Sequence, residues 1–284
     1  MKRILIIGKG SYLGESLKKW LDRSPEKYHT KMVSSLGRRW EEADFSGADT
    51  VVDFAGIAHV NRPPEEMKPL FYAVNRDLTG EIGRHAKEQG VRHFVYFSSM
   101  NVYGDGCQCV EDRGTERPES FYGDSKLQGD RELERLEDSG FVVAHIRPPF
   151  VYGKGCTGNY GAISRIARRT PVFPDYGNRK SMIYIDNLCE FVRLVIEEGS
   201  SGIFTPQNRE LVSTTELVRE IAENAGHKVR FTRLFNWGIG PGIRLSKAVR
   251  RAFADDCYAR ELSDYWDYGY CVVDFKESIR RTEG

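Results

Sequence analysis

Ser99, Tyr122 and Lys126 are the residues whose types and spacing could move a proton on and off a hydroxyl. Tyr122 stands four residues before Lys126 in "FYGDSK", so on a helix the phenol and the ammonium share one face. A neighbouring positive charge favours phenolate, so the Tyr122 pKa is expected to fall toward neutrality. Tyr122 would then act as a general base on a sugar or alcohol hydroxyl. Ser99, in "VYFSSMNVYG", would stabilise the charge developing on that same oxygen. The spacing recurs at Tyr176 and Lys180, but that pair follows Pro174 and encloses Gly177 and Asn178, which predicts a turn. The first pair opens a helical stretch and follows a strand, and this context selects it.

A second chemical feature lies near the start. "IIGKGSYLGESL" places Gly8, Gly10 and Gly14 between a predicted strand and a predicted helix. Glycine allows a tight turn and a close approach of backbone N–H groups to a pyrophosphate. The helix N-terminus adds a favourable dipole. The expected ligand is NAD or NADP, held by Gly8, Gly10, Ser11, Tyr12, Leu13 and Gly14. An acidic residue at the end of the second strand would mark the ribose of NAD. That end reads "VSSLGRR", with Ser34 at the place in question and Arg38 and Arg39 close by to meet a 2′-phosphate, a slight tilt toward NADP. Asp44 is suited to the adenine amino group, and the loop after "DFAG" to closing over the adenosine.

Strands and helices must position these groups. Apolar runs at "RILII", "KYHTKMV", "TVVDFAG", "RHFVYFSS" and "FVVAHIRP" alternate with helical stretches, including one over about 64–89 and one over 121–139. This predicts an α/β fold: a Rossmann-type, doubly wound parallel sheet covered on both faces. Beyond Arg147 the pattern loosens into "RPPFVYGKGCTGNYG", read as a functional loop. The expected division is a dinucleotide-binding domain over 1–147 plus about 181–198. The smaller C-terminal substrate lobe takes 148–180 and about 199–284. Ser213 and Glu216 form a predicted capping box. The segment "LFNWGIGPGIRLSKAVRRAF" (234–253) mixes aromatics with Arg and Lys; an interfacial membrane helix is one reading, and the preferred one is a partly exposed helix on the smaller lobe that Gly238, Gly240, Pro241 and Gly242 break early.

The 284 residues suit one large domain or a core with a smaller lobe. A net charge of +1 gives no bulk drive toward nucleic acid. No apolar run approaches a membrane span, and the first strand begins almost at the terminus; the expectation is a cytoplasmic protein with no membrane partner. The six cysteines read as reduced thiols. Cys107 and Cys109 are close, but no His or further Cys flanks them, so no metal site is expected.

In combination these motifs resemble the extended short-chain dehydrogenase/reductases, the nucleotide-sugar epimerase/dehydratase/reductase family. The likeness runs through the glycine turn, Asp44, "DFAG", "VNRDLTG", "SSMNVYG", "YGDSK", "RPPFVYG" and "RKSMIYIDN". The resemblance implies Tyr122 as base or acid, Lys126 on the nicotinamide ribose, and Ser99 on the reacting hydroxyl. It places Phe45, Phe54, Ala55, Gly56, Asn75, Pro149 and Val151 around the cofactor. Asn101, Asn159 and Arg179 fall on the nucleotide sugar, Arg179 as the fork that grips its diphosphate. It also implies a homodimer through helices near 70–89 and 121–139.

Two departures matter. Ser11 stands where the family turn usually has its middle glycine. Met100 and Asn101 stand where dehydratases carry an acidic pair, which removes the proton donor and base of a 4,6-dehydration. The expected function is therefore oxidoreduction at carbon 4 of a UDP-hexose, epimerase-like. The alternatives are an NADPH-dependent 4-ketoreductase, a reductase of small carbonyl compounds, and a non-catalytic cofactor-binding protein.

Overall fold

The computed structural model describes residues 1–58, 64–104, 109–156 and 158–284. Its strands are β1 (Lys2–Ile7), β2 (Tyr28–Val33), β3 (Thr50–Asp53), β4 (His93–Phe97), β5 (Cys109–Val110) and β6 (Val142–Ile146). They continue as β7 (Phe150–Tyr152), β8 (Val172–Pro174), β9 (Met182–Tyr184), β10 (Gly202–Phe204), β11 (Arg230–Thr232) and β12 (Cys257–Tyr258). The α-helices are α1 (Tyr12–Leu21), α2 (Lys68–Tyr72), α3 (Thr79–Glu88), α4 (Phe121–Glu134) and α5 (Tyr160–Ala167). They continue as α6 (Ile185–Glu198), α7 (Thr214–Asn224), α8 (Asn236–Leu245), α9 (Lys247–Phe253) and α10 (Phe275–Glu283).

The chain divides into two compact units. The first comprises Met1–Gly104, Glu116–Pro148 and Leu188–Pro206. It holds a six-stranded sheet of order β10-β6-β4-β3-β1-β2, parallel at every pairing. The strands β1, β3 and β4 are apolar throughout much of their length because both faces are covered. On one face Leu5, Val51, Phe94 and Val143 pack with Ile82 and Ala86 of α3 and Leu133 of α4. Gly83 permits this approach, since a Cβ there would lie 2.3 Å from a Leu133 methyl. Sequence order reverses at β1, which lies between β3 and β2. That is the switch point outside whose carboxyl ends a ligand crevice forms in such sheets.

The Rossmann-type reading of the fold agrees with this sheet, and two local expectations change. The expected helix over about 64–89 is present as a continuous helical run, in which α2 passes through a π-helical segment, Ala73–Leu78, into α3. The expected lobe boundary near 198 lies too early, because β10 pairs with β6 inside the main sheet. The glycines of 238–242 do not break a helix; α8 continues through Pro241 to Leu245.

The second unit comprises Asp105–Thr115, Pro149–Asn187 and Gln207–Gly284. Three two-stranded parallel ladders, β7–β9, β8–β11 and β5–β12, form its strands. Tyr152 ties it together, its hydroxyl sharing a 2.6 Å hydrogen bond with Ser278 and accepting one of 3.0 Å from Asn208. The expected capping box at Ser213 and Glu216 starts α7.

Candidate active site

β1 delivers the chain into the glycine turn. Gly8 has φ +130° and Gly10 φ +85°, conformations that L side chains rarely adopt. A Cβ on Gly8 would also lie 2.9 Å from the Phe54 Cβ, so this turn lies close against the loop after β3. Ser11, in place of the usual middle glycine, is the N-cap of α1. Its hydroxyl accepts from the Gly14 N–H at 3.1 Å and donates to the Gly8 carbonyl at 2.7 Å. Gly14 has no room for a side chain, since a Cβ would sit 2.7 Å from that hydroxyl. Tyr12 and Leu13 form the first turn of the helix.

The turn fits an anionic pyrophosphate. Nothing lies within 4 Å of where a Gly10 Cβ would be, so the backbone there is bare. Its N–H already receives an anion from the chain itself, the Glu15 carboxylate at 3.0 Å. An incoming phosphate would compete with Glu15 for that amide.

Ser99, Tyr122 and Lys126, the residues expected from the sequence to handle a proton, gather at the carboxyl ends of β3 and β4. α4 is capped by Ser120, whose hydroxyl accepts from Gly123. Gly123 explains the glycine in "YGDSK": a Cβ there would lie 2.3 Å from the Asn101 carbonyl. The start of α4 thereby lies flat on the short 3₁₀ turn Met100–Tyr103, and the Tyr122 side chain interacts with that of Ser99. The Ser99 hydroxyl is oriented locally, donating to Asn101 Oδ1 at 3.1 Å and accepting from the Asn101 N–H at 3.2 Å. Lys126 is 5% exposed and donates to the Phe97 carbonyl at 2.8 Å. Its ammonium also lies 4.9 Å from the centre of the Tyr96 ring. Gly56 makes space for it, because a Cβ there would stand 2.8 Å from Lys126 Nζ.

Asn75, in the π-helical segment, accepts from Ile57 N–H at 2.8 Å and donates to the Ile57 carbonyl and Ser125 hydroxyl. It thus fixes the loop after Ala55 and Gly56 to α4. The π segment is the local device that aims Asn75 inward.

The electrostatics correct one expectation. The Tyr122 pKa is raised, not lowered: burial disfavours the phenolate, and the interaction with the Ser99 side chain only partly opposes this. Lys126 is itself brought down to about 8 by burial, against the attraction of Asp53 and Asp130. Its ammonium is directed at the Phe97 carbonyl, so the free protein keeps the phenol protonated.

Two buried carboxylates escaped the sequence reading, because nothing in their spacing marks them. Asp53 ends β3; its Oδ1 accepts from Ala55 N–H at 2.8 Å and its Oδ2 is buried without a hydrogen bond. Burial raises its pKa to about 7, although the Ala55 N–H and the Lys126 charge oppose this. A carboxyl whose folded pKa lies above its unfolded value makes stability fall as pH rises from about 4 to about 7. Asp53→Asn keeps the acceptor for Ala55 and is expected to flatten the pH dependence of the urea midpoint across that window. An unchanged slope would contradict this placement.

The second is Asp130, one turn beyond Lys126. It accepts from Ser98 at 3.0 Å and from Arg147 at 3.0 and 3.2 Å, and it contacts His145 at 3.0 Å. Arg147 is fully buried and also donates to Tyr103 and Glu116, at 2.7 Å each.

The remaining sequence-predicted residues fall in less concerted places. Ser34 follows β2 and accepts from Leu36 N–H at 3.2 Å. Arg38 is engaged by Glu41 and Glu81, which weakens its suitability for a 2′-phosphate. Asp44 accepts from the Ser46 N–H and hydroxyl. Phe45 is at 0% exposure in the core, so the structure does not place it where it could contact a cofactor. Phe54 packs on Phe97 with ring centres 4.2 Å apart. The Tyr176–Lys180 stretch is not helical, and Lys180 bridges to Val212 and Asp256 in extended backbone.

Pro149, Val151, Asn159 and Arg179 belong to the second unit. Val151 pairs with Ile183, Asn159 precedes α5 and is exposed, and Arg179 donates to Asp255 at 2.9 Å. Cys107 lies outside the described residues. Among the described residues there is no cluster that could hold a metal, and no helix long and apolar enough to cross a membrane.

Known proteins resemble this chain. The UDP-glucose 4-epimerase of Vibrio cholerae is 31% identical over 192 residues, covering 64% of this chain and 58% of that protein's own length. The N-acetyl-alpha-D-glucosaminyl-diphospho-ditrans,octacis-undecaprenol 4-epimerase of Escherichia coli O157:H7 is 24% identical over 245 residues, 80% of this chain and 73% of that one. The UDP-glucose 4-epimerase structure from Thermus thermophilus, a complex with NAD, superposes with a TM-score of 0.74. It covers 99% of this chain and 97% of that one at 19% identity, a likeness of fold. Residues 4–205 match the family model described as NAD dependent epimerase/dehydratase family, and the chain belongs to that family.

Proposed function

We propose that this chain is an NAD(P)-dependent oxidoreductase acting at carbon 4 of a UDP-hexose, epimerase-like. The observation that carries the reading is the meeting of Ser99, Tyr122 and Lys126 at the carboxyl end of the sheet, in the same unit as the bare glycine turn. Two relatives carry names of 4-epimerases acting on sugar diphosphates, which supports the carbon and the substrate class.

The glycine turn and the N-terminus of α1 would hold the pyrophosphate, and Lys126 and Asn75 the nicotinamide side. The dinucleotide, when bound, supplies the hydride acceptor and donor. Tyr122 takes the proton of the C4 hydroxyl as that carbon is oxidised, and returns it when the ketone is reduced. Ser99 donates to the same oxygen and stabilises the charge that develops there. Lys126, charged below about pH 8, favours the phenolate once ribose hydroxyls replace the Phe97 carbonyl as its partner. Met100 and Asn101 supply no acid–base pair for loss of water.

A second reading, an NADPH-dependent 4-ketoreductase, is favoured by the protonated Tyr122 of the free protein, since a phenol is the form that donates to a ketone. Incubation with UDP-glucose or UDP-galactose and either dinucleotide separates the readings. Interconversion without net redox change supports the epimerase. Consumption of NADPH with a 4-keto sugar nucleotide supports the reductase. Failure of both reactions would overturn the proposed function.

Two substitutions test the ligand contacts. Arg179→Ala is expected to raise KM for the UDP-sugar about tenfold, the scale of one charge-assisted hydrogen bond, with a smaller change in kcat. An unchanged KM would remove Arg179 from the diphosphate. Ser34→Asp is expected to shift the affinity ratio toward NAD, since a carboxylate there accepts from ribose hydroxyls and repels a 2′-phosphate. An unchanged ratio would mean that the adenosine end lies elsewhere.

A further inference from the structure

We infer that the α8–α9 segment of the second unit is a docking surface for an anionic lipid bilayer. The sequence-based reading of this stretch is a partly exposed helix. The structure shows which face is exposed, and it is the apolar one. Leu234 is 76% exposed, Trp237 84% and Leu245 88%, with Phe235 beside them at 52%. On α8 the outward positions 237, 241 and 245 recur every four residues and so form one stripe, while Ile239 on the opposite side is buried. A helix that packs its apolar face inward shows the reverse pattern.

Charge says what would cover the stripe. From Asn224 to Ala254 the sequence has no Asp or Glu and has seven Lys and Arg, in a chain whose net charge is +1. Arg244, Lys247 and Arg251 are exposed beside the stripe. Of the neighbouring acids, Asp175 pairs with Arg233 and Asp255 with Arg179, so both are already engaged. Exposed Trp and Leu ringed by cations match a membrane interface, where rings and aliphatic chains enter the acyl boundary and cations meet phosphate headgroups. A second copy of this chain meeting the patch about a two-fold axis would bring both sets of cations together. This inference does not rest on the proposed reaction.

The test is co-sedimentation of the full chain with vesicles of phosphatidylglycerol and phosphatidylethanolamine, against vesicles of phosphatidylcholine alone. The expected result is binding to the anionic vesicles, lost in high salt, with an at least roughly tenfold lower partition coefficient for Trp237→Ala/Leu245→Ala. Arg244→Glu/Lys247→Glu should lose binding as well. Both variants should keep the parent melting temperature and turnover on soluble substrate. Tryptophan fluorescence of the parent should shift to the blue on anionic vesicles and not do so in Trp237→Ala. Absence of binding to anionic vesicles overturns the inference. So does binding that these variants leave unchanged, or a stable dimer in solution that Trp237→Ala/Leu245→Ala dissociates.

Discussion

Tyr122→Phe is expected to lower turnover on the UDP-hexose by roughly 10²–10⁴-fold, the range of a positioned general acid–base. Dinucleotide affinity should stay nearly unchanged, because on the proposed reading the pyrophosphate would lie with the glycine turn, and the ring of Phe fills the same volume. The prediction rests on geometry: Gly123 lets α4 approach the Ser99 turn, and that approach brings the Tyr122 phenol to the Ser99 side chain. The pH profile adds a check. Burial raises the Tyr122 pKa in the free protein, so kcat/KM for oxidation should climb with pH above neutrality until the phenol ionises. Phe at this position abolishes that limb. Activity retained in Tyr122→Phe, with the limb intact, would assign the proton to another group.

Asp130→Ala is expected to cost about 3–5 kcal/mol of stability, the scale for removing one partner of a buried ion pair. Asp130 and Arg147 are both at 0% exposure, and the carboxylate is the shared acceptor for Ser98, His145 and Arg147. Burial works to raise the Asp130 pKa, but His145 and Arg147 outweigh it and hold the carboxyl below its usual range. Without Asp130 the guanidinium keeps only Tyr103 and Glu116 of the partners described above. A double substitution, Asp130→Leu with Arg147→Met, should recover most of the loss, since a buried pair replaced by apolar groups of similar volume is often neutral. Urea unfolding of the singles and the double gives the coupling. Full stability of the Asp130→Ala single would mean that the pair is not closed in solution.

Ser98 holds Asp130 while Ser99 holds the Asn101 turn, so adjacent residues anchor the strand end and, on the proposed reading, orient the Ser99 hydroxyl for the substrate. Asp130 and Lys126, one helical turn apart on α4, share that frame. A displaced Asp130 should therefore lower kcat in whatever fraction remains folded.

Much of this was legible in the sequence. The parallel sheet showed through apolar runs that are continuous because both faces are covered. That Ser99, Tyr122 and Lys126 lie together was legible because a helical spacing lay beside a strand and a serine pair. The glycine turn was legible as a turn, but the role of Ser11 as helix cap was not, since a serine there reads first as a missing glycine. The sign of the Tyr122 shift was misread because spacing gives proximity to an ammonium and says nothing of where its hydrogens point or how dry the site is. Asp53 and Asp130 were missed for a related reason: a lone Asp after an apolar run, or within a charged helix, carries no mark of burial. For the stretch holding Trp237 and Leu245 partial exposure was legible, but not that the apolar face turns outward, because periodicity identifies a face without saying which way it turns.

The central claim is that hydrogen leaves and returns at carbon 4 beside Tyr122. The most direct measurement follows deuterium placed at C4 of the UDP-hexose by mass spectrometry during turnover with NAD or NADP. The expected result is label at C4 of the epimerised sugar together with label on a fraction of the dinucleotide quenched during turnover, none lost to water, and almost none on the dinucleotide in Tyr122→Phe. Washing of the label into solvent, or formation of the epimerised sugar while the dinucleotide never carries label, would contradict it.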